Sequence, residues 1–170
     1  MKEILSKLVD GNNLTKEESM HAQELILTGH ATPAQIACFL TALRIKGETL
    51  DELTGLATVL RDKAQTISPK LDNYVDFVGT GGDCTYSFNI STTSAFVVAA
   101  AGLPVAKHGN RSISSKSGSG DVLEALGVNI SADPKIVEEC VEKVGIGFMF
   151  APHFNPAMKY VGKVRKELGF

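Results

Sequence analysis

Three stretches rich in glycine and serine contain the residues best suited to chemistry in this chain. They span residues 79–83, 89–92 and 107–120. Glycine loops present bare backbone N–H groups, and a helix beginning near residue 89 would add the unpaired N–H groups of its first turn. Such donors bind anions, so the three stretches together predict an anion site.

The charges in these stretches indicate which anion is bound. Lys107, Arg111 and Lys116 place three cations and no acid within ten residues of a chain whose net charge is −2. These cations favour phosphate, and the alternative is a solvated basic loop. Asp83 would repel a bare phosphate unless a metal ion or sugar hydroxyls lie between them, which favours a ribose phosphate bound with magnesium. Ser91 could offer its hydroxyl to that metal, cap the helix, or do both.

Two common nucleotide-binding patterns are absent from the sequence. The Walker pattern needs a glycine, four residues, a second glycine, a lysine and a hydroxyl residue, and no stretch has it. The dinucleotide pattern fails because Cys84 stands at the third glycine position after Gly79 and Gly81. We interpret Cys84 as a small loop residue rather than a nucleophile, because nothing in the sequence places a base beside it.

Residues 1–66 are predicted to form an all-helical domain. Helix-start patterns occur at Thr15, at Thr32 with Pro33 next to it, and at Thr49. Apolar residues then recur at helical spacing, and Gly29 and Gly47 mark helix ends. The predicted apolar stripes are Ile36, Phe39, Leu40 and Leu43, and Leu53, Leu56, Val59 and Leu60. These stripes pack either on each other or on a second subunit, and we expect a homodimer through these helices.

Residues 74–170 are predicted to form an α/β domain with a parallel sheet that is incomplete. Strand patterns alternate with helix patterns, which is typical of parallel sheets with crossovers. The expected strands are 74–78, 103–107 and 146–150, and the expected helices begin near residues 89, 121, 133 and 155. In such a sheet, ligands bind beyond the carboxyl ends of the strands, where the three glycine- and serine-rich stretches lie.

The composition excludes several classes of function. The chain has 170 residues, near-balanced charge, no tryptophan and few aromatic residues, so binding to nucleic acid is not expected. The N-terminus does not resemble a signal peptide, and the longest apolar run, residues 95–103, is too short to span a bilayer. Three distant cysteines favour reduced thiols. We therefore expect a cytoplasmic protein with no membrane partner.

Four motifs in this order resemble the anthranilate phosphoribosyltransferases, and the resemblance extends over essentially the whole chain. The motifs are residues 79–83, 89–92, 107–112 and 117–127. The resemblance implies transfer of a phosphoribosyl group from phosphoribosyl pyrophosphate to anthranilate, in tryptophan biosynthesis, with Mg²⁺ as cofactor. Catalysis by this family would rest on positioning and on neutralisation of the leaving pyrophosphate, so no nucleophile or base is assigned.

The resemblance also implies roles for individual residues. The donor, phosphoribosyl pyrophosphate, would contact Gly79, Gly82, Asp83, Ser87, Asn89, Ser91, Thr92, Lys107, His108, Gly109, Asn110, Arg111, Ser114, Ser115 and Ser119. Ser91 would bind Mg²⁺, and anthranilate would contact Gly79, Asn110 and Arg165. Three positions depart from the family pattern: Ser87 replaces threonine, Gly120 replaces alanine, and Asn155 replaces histidine.

The helical spacing around Arg165 supports its implied role. Lys159, Lys163 and Lys166 share one face of the last predicted helix, and the apolar residues 157, 161, 164 and 168 share the opposite face. Arg165 lies on the flank of the apolar face, where it could grip a carboxylate with both guanidinium nitrogens. The alternative is a structurally paired or snorkelling arginine.

The resemblance leads to an expectation about the activity of this chain, and two other functions are alternatives to it. The family is longer than this chain and its second Mg²⁺ site uses an adjacent Asp and Glu, which do not occur here after Asp133. We therefore expect these residues alone to bind the donor weakly and to turn over poorly. The alternatives are a pyrimidine nucleoside phosphorylase relative and a non-catalytic module that binds phosphate or assembles subunits.

Overall fold

A computed structural model describes residues 1–79, 88–112 and 117–169. Contacts between Cα atoms divide the chain into two compact units. One unit contains Met1–Ala64 together with Asn155–Phe170, and the other contains Gln65–Phe154. The predicted division at residues 66 and 74 stays a prediction, and the last helix makes its contacts within the helical unit.

The helical unit contains α1 (Lys2–Val9), α2 (Lys16–Leu27), α3 (Pro33–Lys46), α4 (Leu50–Lys63) and α9 (Lys159–Leu168), with a 3₁₀ turn at Pro156–Met158 before α9. The predicted caps of α2, α3 and α4 are confirmed. At each, a threonine hydroxyl accepts the N–H of the third helical residue, whose own side chain accepts the threonine N–H. Left-handed φ angles of 78° at Gly29 and 84° at Gly47 end α2 and α3 as expected.

The first predicted apolar stripe lies in the core of this unit, and the second is rotated. Ile36, Phe39 and Leu43 are at most 3% exposed. Leu53, in contrast, is 51% exposed and does not lie in the core of this unit. The buried face of α4 is centred on Glu52, Gly55 and Val59, because α2 packs there, and Leu53 lies about 100° away around the helix.

Glu52 is a carboxylate with no exposed surface in the middle of this helical core. It accepts the backbone N–H groups of Leu14 at 2.9 Å and Thr49 at 2.8 Å, and the ammonium of Lys46 at 2.9 Å. Its own carbonyl accepts the Ser19 hydroxyl at 2.8 Å. Burial alone would raise the pKa of Glu52, but these donors outweigh it and hold the pKa below its usual value.

The α/β unit contains α5 (Ile90–Ala100), β1 (Val105–Gly109), α6 (Ser119–Ala125), α7 (Pro134–Val144), β2 (Ile146–Phe150) and α8 (Ala151–Phe154). The strands β1 and β2 are parallel, with Val105 opposite Ile146 and Gly109 opposite Phe150. Because α7 packs closely on β2, a Cβ added to Gly147 would lie 2.7 Å from the Val137 carbonyl oxygen. The predicted class, a helical N-terminal part followed by a parallel α/β part, is confirmed.

The predicted strand at residues 74–78 is wrong in extent, because only Val75 pairs. Val75 forms an isolated parallel bridge with Val105. Its N–H donates to the Pro104 carbonyl at 3.0 Å, and its carbonyl accepts the Ala106 N–H at 2.9 Å. The pairing stops after this one step.

Side chains explain why the ladder ends there. A later bond of this parallel ladder would join the His108 N–H to the Phe77 carbonyl. Instead, the Asp76 carboxylate accepts the His108 N–H at 3.0 Å, and the Lys107 amine donates to the Phe77 carbonyl. Both backbone groups therefore have side-chain partners at the point where the strand pairing stops.

None of the helices described in the structure is long and apolar enough to cross a membrane. Cys38 and Cys140 are free thiols. Cys84 lies outside the described residues.

Candidate functional site

The described parts of the three predicted stretches converge in the α/β unit. Lys107, on β1, donates to the Phe77 carbonyl and lines a small cavity together with Thr92, in the first turn of α5. A Cβ added to Gly79 would lie 4.0 Å from the Ser91 hydroxyl. The Asn89 amide donates to the Ser117 carbonyl at 3.2 Å, so the start of α5 also touches the serine-rich loop. Residues far apart in sequence are thus brought to one end of the sheet.

Asn89 stands at the N-cap of α5 but does not cap it with its side chain. Its side-chain NH2 group donates to the Ser117 carbonyl. Ser91 is half-buried in that first turn, and Thr92 is 3% exposed beneath it. Within the described residues this helix N-terminus has no side-chain cap, and with a serine hydroxyl beside it, it suits an anion or an anion bound with a metal.

Lys107 is a buried cation at the centre of this arrangement. Its side chain is 3% exposed and its amine donates to the Phe77 carbonyl. It lines a small cavity of about 80 Å³ together with Thr92, Phe96 and Phe148. Burial lowers the pKa of Lys107, and the negative charge of Asp76 opposes this shift. Within the described part of the chain its amine donates to a carbonyl and forms no ion pair with a carboxylate.

The segment that follows β1 packs tightly on the N-terminal turn of α6. The Asn110 carbonyl accepts the Ser119 hydroxyl at 3.2 Å and the Gly120 N–H at 3.0 Å. A Cβ on Gly120 would meet that same oxygen at 3.4 Å, close to an ordinary contact. The departure from alanine at Gly120 therefore leaves only a small gap.

Arg111, one of the three cations of residues 107–120, is paired with two acids of α6. Its guanidinium donates to both oxygens of Glu124, at 2.7 and 2.9 Å, and to Asp121 at 3.2 Å. The pKa of Arg111 is raised, first by Glu124 and then by Asp121, and the pKa of Glu124 is lowered in return. A count of acids confined to residues 107–116 misses both partners. The signal that could have found them is the spacing of three between Asp121 and Glu124 on a predicted helix.

Other predicted site residues have a different placement. His108 points to the opposite face of the sheet from Lys107, because side chains alternate along β1, and its N–H is bonded to Asp76. Gly109 is buried against Ser119 and Phe148. Arg165 is exposed in the last turn of α9, in the helical unit, and its role stays a prediction. Five predicted donor contacts lie outside the described residues: Gly82, Asp83, Ser87, Ser114 and Ser115.

Metal binding by protein side chains alone is not indicated in the described ranges, where no three His, Cys, Asp or Glu residues cluster. The Ser91 hydroxyl is a hard oxygen ligand of the kind that Mg²⁺ accepts. Mg²⁺ usually keeps several waters and binds through substrate phosphates, so one protein oxygen beside an anion site fits it.

Both parts of the chain match domains of a glycosyl transferase family. Residues 2–64 match the helical bundle domain of a glycosyl transferase family, and residues 71–170 match the a/b domain of the glycosyl transferase family. Similar proteins include the anthranilate phosphoribosyltransferase of Acetivibrio thermocellus, 62% identical over 99% of this chain and 49% of the relative. That of Moorella thermoacetica is 52% identical over 99% of this chain and 50% of the relative.

Solved structures agree with the sequence relatives. Anthranilate phosphoribosyltransferase from Thermus thermophilus superposes with a TM-score of 0.88 at 42% identity, over 98% of this chain and 51% of that one. The enzyme from Saccharomyces cerevisiae, in complex with phosphoribosyl pyrophosphate and Mg, gives a TM-score of 0.87 at 28% identity, over 99% and 51%. The chain thus spans about half the length of the relatives it matches. With both domain types matched in order along its length, the chain belongs to this glycosyl transferase family.

Proposed function

We propose that this chain binds phosphoribosyl pyrophosphate with Mg²⁺, and that the whole protein transfers the phosphoribosyl group to anthranilate in the cytoplasmic synthesis of tryptophan. The observation that carries the proposal is the convergence of Gly79, the first turn of α5 and the carboxyl end of β1 around the buried amine of Lys107. Relatives named for this activity, and a yeast relative bound to the donor and Mg, support it.

The donor site combines side chains with backbone donors. Among the described residues, Lys107 supplies positive charge. Asn110, after β1, and Ser119, at the start of α6, are hydrogen-bonded to each other. The first turn of α5 supplies backbone N–H groups and the hydroxyl of Ser91. The full proposed donor set adds Gly79, Gly82, Asp83, Ser87, Asn89, Thr92, His108, Gly109, Ser114 and Ser115. Arg111 has a positioning role, which is argued below.

The proposed reaction needs positioning and charge rather than a covalent residue. The aromatic amine of anthranilate attacks the ribose carbon that bears pyrophosphate, and the carbon–oxygen bond to pyrophosphate breaks with its electron pair leaving on oxygen. The amine nitrogen loses one proton, to water or to the released pyrophosphate. Such a centre passes through a cation-like transition state. Lys107 stabilises the developing negative charge of pyrophosphate, and its burial strengthens this attraction because the local dielectric is low. Bound Mg²⁺ would supply further charge neutralisation.

Anthranilate is proposed to contact Gly79, Asn110 and Arg165. The guanidinium of Arg165 is exposed, so it is accessible to a carboxylate, and the opposite face of α9 is anchored by buried Val161 and Val164. An arginine held by a packed helix can form a bidentate pair with a carboxylate.

We also propose a homodimer through the N-terminal helices. Val9 and Ile45 are 67% and 82% exposed and border an apolar cleft of about 300 Å³ in the helical unit. Exposed apolar clusters of this kind are typical of subunit interfaces.

Donor binding tests the proposed function directly. Titration calorimetry with phosphoribosyl pyrophosphate should show binding that requires Mg²⁺ and is weakened about tenfold or more in Lys107→Met. Lys135→Met, which changes an exposed lysine at the start of α7, is the matched control and should bind as the unaltered chain does. Loss of anthranilate fluorescence then reports turnover, which we expect to be slow with these residues alone.

Two results would contradict the proposal. One is equal donor binding by Lys107→Met and the unaltered chain. The other is phosphorolysis of a pyrimidine nucleoside in place of anthranilate consumption, which would assign the chain to a different transferase.

A further inference from the structure

Asp121 joins the two ends of the serine-rich loop. One carboxylate oxygen accepts the backbone N–H of Ser112 at 2.9 Å and that of Gly118 at 2.8 Å. The other oxygen accepts the Arg111 guanidinium at 3.2 Å. These donors, the two backbone N–H groups before the guanidinium, lower the pKa of Asp121. The single side chain of Asp121 thus binds both Ser112, which follows β1, and Gly118, which precedes α6.

Arg111 binds Asp121 from the other side, and we call Asp121, Arg111 and Glu124 together the clip. Its guanidinium pairs with both oxygens of Glu124, and its central carbon lies 5.8 Å from the centre of the Phe150 ring, on β2. Bidentate pairing together with ring contact fixes the guanidinium more firmly than a single ion pair does. The direction of this side chain is therefore set by α6 and β2.

The two backbone segments held by the clip are in close contact. A Cβ added to Gly118 would lie 2.3 Å from the Ser112 nitrogen and 2.5 Å from the Arg111 carbonyl carbon. At Gly120, in contrast, the nearest atom would be 3.4 Å away. Residues 110–112 thus lie on residues 118–120 with no space for a side chain at Gly118.

We propose that Asp121, directly, and Glu124, through Arg111, are positioning residues that hold residues 110–112 against residues 118–120 and so orient Lys107 and Asn110 toward the diphosphate of the donor. The inference rests on the proposed function. It gives Arg111 a positioning role, whereas the pattern of cations in the sequence predicted direct contact with phosphate. The two roles make opposite predictions for Glu124, because removing its charge frees the guanidinium.

The decisive variant is Glu124→Gln, measured by calorimetric titration with phosphoribosyl pyrophosphate and Mg²⁺. Under the positioning role, the dissociation constant rises by about two- to fivefold, the worth of one exposed ion pair. Arg111→Met should raise it similarly, and the double variant should be no worse than either single one, because both break the same pair. If Arg111 bound phosphate itself, Glu124→Gln would bind as tightly as the unaltered chain or more tightly.

The control and the structural readout keep the test specific. Glu139→Gln removes the same charge from an exposed pair with Lys143, 2.8 Å long, on α7, and should leave donor binding unchanged. The free energy of unfolding should change little in Glu124→Gln, whereas amide hydrogen exchange at Ser112 and Gly118 should accelerate. Loss of donor affinity with unchanged exchange at these two amides would overturn the inference.

A pair of glycine variants tests the same contact without changing any charge. Gly118→Ala should weaken donor binding, since its methyl group must displace backbone, while Gly120→Ala should bind as the unaltered chain does. Equal binding by both variants contradicts the inference alone. If the unaltered chain binds no donor, the proposed function fails and the inference fails with it.

Discussion

At the scale of single residues, Glu52 shows how a buried charge can stabilise the helical unit. It has three hydrogen-bond donors and no exposed surface. Glu52→Gln should lower the free energy of unfolding by about 2–4 kcal/mol, because the amide nitrogen would face donors and Lys46 would lose its counter-ion. Urea unfolding measures this, and Glu17→Gln, at an exposed position of α2, should change it little.

The pH dependence of this loss follows from the lowered pKa of Glu52. A carboxyl group whose pKa is lower in the folded state adds stability above its unfolded pKa, and this stability is lost as pH falls through the folded pKa. The difference in unfolding free energy between the unaltered chain and Glu52→Gln should therefore shrink below about pH 4. A difference that stays constant from neutral to acidic pH would show that Glu52 acts by shape and not by charge.

Lys107 is the opposite case, a buried charge that opposes stability. Burial lowers its pKa, so the charged form is disfavoured in the folded state, and stability should rise as pH increases through the folded pKa. Lys107→Met should thus be no less stable than the unaltered chain at neutral pH, although its donor binding should be weaker. Thermal unfolding across pH 7 to 10 compares the two, and a large loss of stability in Lys107→Met would assign Lys107 a structural role.

At the scale of elements, local patterns predicted what local interactions determine. The caps at Thr15, Thr32 and Thr49 were predictable because each bond joins residues three positions apart. The end of the first strand was not, because the groups that stop it, Asp76 and Lys107, act across 32 and 30 positions. The pairing of Arg111 with Glu124 likewise depends on where α6 begins.

The packing of α4 on α2 gives a test at this scale. A Cβ on Gly55 would lie 2.5 Å from the Lys16 carbonyl oxygen, so Gly55→Ala should destabilise the fold by about 1–3 kcal/mol despite alanine's higher helix propensity. Gly162, in α9, has no atom within 4 Å of that position, and Gly162→Ala should stabilise the fold by about 0.5–1 kcal/mol. Denaturant unfolding of both variants should give opposite signs, and equal signs would contradict the close approach of α2 and α4.

At the scale of the whole molecule, the proposed homodimer has a surface that the sequence alone could not locate. The pattern of apolar residues predicted helices that lack partners, but not which residues remain exposed. Ile45, at 82% exposure, ends the apolar side of α3 beside Val9 and the apolar cleft. A charge introduced there must be desolvated if the cleft is covered by a second subunit.

Ile45→Glu should therefore weaken the dimer by about tenfold or more, as measured by sedimentation equilibrium. Val144→Glu is the matched control, because Val144 is also apolar and 71% exposed but lies on α7 in the other unit. If the cleft is the interface, Ile45→Glu sediments as a monomer at concentrations where Val144→Glu and the unaltered chain remain dimers. Dissociation by Val144→Glu alone would move the interface to the α/β unit, and a monomeric unaltered chain would remove the interface altogether.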